Sequence, residues 1–248
     1  MEDLEKYILR IADTSLILGQ RLSEWCSNGP TLEEDIALSN ISLDLFGQAN
    51  GLLEYVSKLN GVKSADEIAF KRNERQFYNL QICEQDNGHF GDTIIRQFLC
   101  DSYFKLFYLS LADSKDETLS AIAHKSLKEV EYHLRHSSNW VIRLGDGTKE
   151  SNDKIQQSLN QIWKYTGEFF EMDELDNKML EKNIGVDNIN LKVKWDIIIN
   201  KTLNQAKLSR PEDGYMMSGS KKGLHTEFLG KLLAQMQYLP RAYPNAKW

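Results

Sequence analysis

Apolar residues along this chain recur at intervals of three and four over most of its length, and alternating β-branched runs are almost absent. That period predicts helices throughout and an all-α protein. The stretch that organises the reading is Lys128–Leu144, KEVEYHLRHSSNWVIRL. It lies inside a stripe formed by Leu119, Ile122, Ala123, Leu127, Val130, Leu134, Val141 and Leu144, which predicts one long helix ending before Gly145 and Gly147. His133 falls on that stripe, with Val130 one turn earlier.

The other elements follow in order. A first helix is expected over about Leu4–Cys26, stopped by SNGP. Thr31–Glu34 reads as a capping box opening a second helix to about Leu59, and Gly61 stops it. This helix is apolar nearly all round in its middle, which predicts burial. Ser64–Glu67 signals a shorter helix running to about Asn79, and QICEQDNGHFG (81–91) reads as a loop with His89 in a surface or capping role. An aromatic-rich helix is expected over about Asp92–Ala112, then the organising helix, then a helix over about Asp153–Glu171, a short acidic turn or helix near Asp173–Lys182, and helices over about Ile189–Leu208 and His225–Leu239. The irregular segment Pro211–Leu224 precedes the last one. Trp248 at the end of RAYPNAKW is expected to pack on the helices or on a partner. The predicted architecture is a ferritin-like four-helix bundle with additional C-terminal helices: a single domain over 1–248, with a core over about 4–146 and extra helices over about 153–240.

Composition sharpens this only slightly. The 248 residues suffice to bury a full core, and 41% hydrophobic with 27% charged residues is ordinary for a globular chain. A net charge of −6 argues against nucleic-acid binding through the overall field. No apolar run approaches the ~20 residues of a bilayer span, and MEDLEKYILRIAD lacks the basic flank of a signal peptide, so the expected compartment is the cytoplasm. Cys26, Cys83 and Cys100 are isolated and form no C-x-x-C, which leaves zinc sites, clusters and disulfides without support.

The candidate chemistry lies in acids and imidazoles embedded among apolar positions. A ferritin-like di-metal bundle takes a Glu-x-x-His from each of two helices and one acid from each of the other two. Here Val130 holds the acid position before His133, with Glu129 and Glu131 displaced to either side; on the second helix, Asp44 is followed at i+3 by Gly47. Asp101 is the one acid deep in the aromatic helix. Two readings stand for these groups: remnants of a ligand pattern, or structural charges paired with basic residues such as Arg21, Arg96 or Arg135. Glu129 and His133, four apart, suit a local ion pair without metal. Lys221 and Lys222, in a glycine-bearing loop before the last helix, are a candidate anion contact, although the P-loop spacing is absent.

The strings GQRLSEWC (19–26), DIALSNISLDLFGQA (35–49), ERQFYNL (74–80), HFGDTIIRQF (89–98), KEVEYHLRHSSNW (128–140) and KKGLHTEFLGKLLAQMQYL (221–239) resemble the C-subunit family of the bacterial phenylacetyl-CoA ring epoxidase. The resemblance implies a ferritin-like fold within a multicomponent oxygenase that adds one oxygen atom of O₂ to the ring of phenylacetyl-CoA. It implies a di-iron centre in a homologous A subunit, a small B subunit, and a reductase carrying FAD and an iron–sulfur cluster and fed by NADPH. The C subunit is then a structural partner of the A subunit with no catalytic residue, metal or cofactor of its own. Asp44, Asp101, Glu129 and His133 would be degenerate ligand positions. The alternatives are an active di-iron oxidase using those four residues as an irregular ligand set, and a subunit holding the CoA moiety through Lys221 and Lys222.

Overall fold

A computed structural model describes residues 2–244 and 246. All regular structure among them is helical, as the 3.6-residue period predicts. None of the described helices is long and apolar enough to cross a membrane. The expectation for Trp248 lies outside the described residues. Two compact units are present: Met1–Asp86 together with Gly219–Trp248, and Asn87–Ser218. The C-terminal helix, expected among additions to a bundle core, belongs with the first 86 residues.

The first unit is built on an antiparallel hairpin of α1 (Glu2–Ser23) and α2 (Leu32–Asn60). Its pairing is fixed along its length by Asn60 Nδ2 donating to Glu5, and by Ser42 Oγ donating to the Gly19 carbonyl at 2.8 Å. Thr31 caps α2 by accepting from the Glu34 amide, and Gly61 ends it in the left-handed conformation at φ 64°. The expected burial of α2 is one-sided. Leu38, Ile41, Leu45, Leu52 and Val56 are buried, whereas Leu32, Ile36 and Leu43 are exposed.

The helix expected from Ser64 to Asn79 is much shorter. Ser64 and Glu67 form the reciprocal capping box, but α3 covers only Ala65–Phe70. The reason is tertiary. The backbone amides of Tyr78 and Leu80 are claimed by the Asp13 carboxylate at 2.9 Å and the Thr14 hydroxyl at 3.3 Å. These side chains of α1 satisfy groups that a continued helix would have bonded internally. Two short 3-10 turns, Glu74–Gln76 and Gln81–Glu84, are all that remain helical there.

The second unit centres on another antiparallel hairpin, α4 (Phe90–Leu111) and α5 (Glu117–Gly145). His89 is the N-cap of α4: its Nδ1 accepts from the Asp92 amide while Asp92 accepts from the His89 amide, the capping role expected of this loop histidine. On α5 the buried positions are Leu119, Ala123, Ser126, Val130, His133, Ser137, Val141 and Gly145. Ile122, Leu127, Leu134 and Leu144 of the predicted stripe are half-buried flanks. The remaining helices are α6 (Lys149–Ile162), which gives way to a 3-10 segment at Trp163–Phe170, then α7 (Glu174–Glu181) and α8 (Asn188–Gln205). Trp195 of α8 is the largest fully buried side chain among the described residues; it packs against Trp163, Phe169 and Phe170 and donates from Nε1 to the Leu99 carbonyl at 3.2 Å.

The helix expected to end before Gly145 includes it. Gly145 is the last residue of α5, and a Cβ there would overlap the Ala206 carbonyl oxygen at the end of α8. The glycine permits the close approach of the two helix ends. Gly145→Ala is therefore expected to lower stability by about 1–3 kcal/mol, the usual cost of overpacking. Urea denaturation of the two proteins checks it, and an unchanged midpoint would mean that the helix ends slide apart freely.

Candidate functional site

Asp101 lies in the middle of α4 with no solvent exposure, facing α5. Gln97, one turn earlier on the same helix, donates from Nε2 to Oδ1 at 2.7 Å; Ser137 of α5 donates its hydroxyl to Oδ2 at 2.8 Å. Neither donor is charged. Burial pushes the carboxyl up to about 8, and the two hydrogen bonds only partly offset it. At neutral pH this acid keeps its proton. The ion pair expected for Asp101 with Arg21, Arg96 or Arg135 does not form. Arg96 donates to Asn87 Oδ1 at 2.6 Å, Arg21 pairs with Glu24 and Asp86, and the exposed Arg135 lies over the Tyr132 ring. A neutral amide and a hydroxyl suffice because a protonated acid brings no charge to compensate.

His133 and Val130 are fully buried on the inward face of α5, one and two turns before Ser137. Glu129 is half-buried beside that face with Lys125 at 3.9 Å. His124 is exposed and His136 half-buried. In the other unit, Asp44 is half-buried on α2, and Gly47 is exposed with open space where a side chain would stand. The hairpin of α4 and α5 thus brings together Asp101, Gln97 and Ser137. The pattern of acids and histidines did not signal Gln97 or Ser137. The only trace was spacing: Gln97 precedes Asp101, and Ser137 follows His133, by four residues.

These residues do not fit a two-metal centre. The one fully buried acid at a ligand-like position, Asp101, has both oxygens engaged by Gln97 and Ser137. Val130 and Gly47 offer no donor atom. Among the described residues no group of three or more His, Cys, Asp or Glu is placed to hold a metal ion.

The other candidate was the Lys221–Lys222 loop. These residues form a 3-10 turn, Ser220–Lys222, with Lys221 half-buried and Lys222 exposed. The helix that follows, α9 (Glu227–Ala242), already has an anion at its N-terminus. Glu84 Oε1 accepts from the Thr226 amide at 2.6 Å, and Oε2 accepts from Asn79 Nδ2 at 3.1 Å. Glu84 has no solvent exposure, so its carboxylate takes the place that a phosphate would need. Within the same unit a 590 Å³ groove between α3 and the end of α9 is lined by apolar groups of Phe70, Met236, Leu239, Pro240 and Tyr243. The two lysines are not among its lining residues.

Fold and site together define an all-α, ferritin-like protein in which, among the described residues, no group of acids, histidines and cysteines is placed to hold a metal ion. The chain belongs to the family described as "Phenylacetic acid catabolic protein", whose model matches residues 1–248. It is 46% identical over 248 residues, the whole length of both chains, to the C subunit of the 1,2-phenylacetyl-CoA epoxidase of Escherichia coli (strain K12).

Proposed function

We propose that this chain is a non-catalytic, structural subunit of a cytoplasmic multicomponent oxygenase that epoxidises the aromatic ring of phenylacetyl-CoA. In this reading it pairs with a catalytic subunit that holds the di-iron centre. The complex is completed by a small B subunit, and electrons arrive from NADPH through a reductase with FAD and an iron–sulfur cluster. The observation that carries the structural role is the centre of α4 and α5, where Asp101 is closed in by the uncharged Gln97 and Ser137, and the apolar Val130 stands one turn before the buried His133.

Pairing is supported by α2. Its exposed positions from 36 to 50 are Ile36, Asn40, Leu43, Gly47 and Asn50, one continuous strip at helical spacing without a charge. Solvent faces of helices normally carry charges, and this chain has 27% of them to place. An uncharged strip centred on Leu43 suits the packing of a partner helix, and Gly47 allows its backbone to come close. A rigid partner on this face would help keep the oxygenase pocket dry, so that activated oxygen reaches the ring and not water.

Iron content and reconstitution test the proposal together. The chain purified alone from iron-replete cells is expected to carry no stoichiometric iron, and omitting it from the reconstituted oxygenase is expected to abolish or uncouple epoxidation. Leu43→Glu is expected to weaken co-purification with the di-iron subunit without unfolding the chain. About two irons per chain, the content of a complete bundle site, would replace this reading with that of a di-iron oxidase. Full epoxidation in the absence of the chain would remove the structural role.

A further inference from the structure

His225 stands two residues before α9, and both of its ring nitrogens face acceptors. Nδ1 lies 3.1 Å from Glu84 Oε2 and Nε2 lies 2.9 Å from the Phe77 carbonyl oxygen. A neutral imidazole has one N–H and one lone pair, so it would satisfy one of these oxygens and oppose the other. Only the imidazolium donates to both. Neither the His225 nor the Glu84 side chain is exposed to solvent, so the pair is a buried cation against a buried anion. The same carboxylate holds the Thr226 amide at the mouth of α9.

We propose that His225 is a proton-dependent latch: its charged form fastens the 219–226 loop and the first turn of α9 onto the 77–84 segment, and loss of the proton releases them. The charged groups around it set the direction. Glu84 from the 81–84 turn and Glu74 from the 74–76 turn both favour the cation. From α1, Arg21 donates to the Glu84 main-chain carbonyl, with its own charge met by Glu24 and Asp86. Lys221 and Lys222 precede the ring on its own segment. Burial opposes the charge, but the hydrogen bond and charge of Glu84, the Phe77 carbonyl and the charge of Glu74 outweigh it and raise the pKa above the ordinary 6.5. A histidine raised on folding contributes stability that is complete below the unfolded value and is lost as pH rises through the folded one. Deprotonation would leave the Glu84 carboxylate buried without its cation, which is the costly arrangement. The latch therefore holds on the acid side and opens on the alkaline side.

The test follows the imidazole signals of the five histidines of the full chain by NMR from pH 5 to 10, with His225 assigned from His225→Gln. Amide exchange over 226–239 is recorded across the same range and corrected for the intrinsic base-catalysed rate. The expected midpoint for His225 lies above 6.5. Between 6.5 and that midpoint the opening of α9 should grow by up to about tenfold per pH unit, as one linked proton requires, and it should level off above the midpoint, where the ring is neutral in both forms. A His225 midpoint at or below 6.5, or α9 protection that does not change with pH, would overturn the latch. His225→Gln is expected to abolish the pH dependence of α9 opening; if that dependence persists in the variant, another group is responsible and the latch is wrong.

Discussion

Arg72→Ala is expected to destabilise the chain by about 3–5 kcal/mol, the range seen when one partner of a buried ion pair is removed. The guanidinium makes a two-point contact with Asp13, which has no solvent exposure, and it also donates to the carbonyls of Ile68 and Gln76. Its face lies 4.1 Å from the centre of the Phe77 ring. Truncation would strand the Asp13 carboxylate in the interior with the Tyr78 amide as its remaining donor, and the 72–80 segment would lose its anchor on α1. Asp13→Asn is the informative companion. It keeps acceptor and shape, and leaves the Arg72 charge buried without an anion. Both variants should unfold at clearly lower urea concentration, and combining them should cost much less than the sum of the two. Strict additivity would show that the pair does not act as a unit.

That ion pair also marks the limit of what the sequence discloses. The long helices were legible because each must bury one stripe, and the stripe is written in the spacing of residues such as Leu119, Ala123 and Val130. The caps at Thr31, Ser64 and Gly61 were legible because their chemistry is local. The end of α3 was not legible. Its helical signal is real, but Asp13 and Thr14, some 60 residues earlier, hold the following segment extended. Glu84 shares that history: it reads as a loop residue by composition and becomes the buried cap of a helix 142 residues away in the chain. Asp101 stood out as an acid among aromatics, and its burial was predictable. Its neutral partners were not, because a buried acid is expected to find an arginine and this protein keeps the acid protonated instead.

The protonated acid gives the other large effect. A carboxyl whose pKa rises from 3.8 to about 8 on folding is ionised in the unfolded chain long before it is ionised in the folded one. It therefore contributes full stability only below pH 3.8, and the folded state loses ground at every pH unit from there towards 8. At pH 8 the accumulated loss is on the order of 5 kcal/mol, from ~1.4 kcal/mol for each pH unit crossed. Asp101→Asn keeps the shape and can still accept from Gln97, while its amide donates to the Ser137 hydroxyl, and it has no charge to lose. The variant is expected to be more stable than the parent at pH 8 and to lose that advantage as the pH falls towards 4; urea unfolding at pH 4, 6 and 8 reads this directly. A stability difference independent of pH would mean that Asp101 is ionised in the folded chain. The same substitution bears on function, because a metal ligand must give up its proton. In a chain whose Asp101 bound iron, Asn would stop the chemistry. In the structural subunit proposed for this chain, the reconstituted oxygenase carrying Asp101→Asn should epoxidise its substrate at the parental rate.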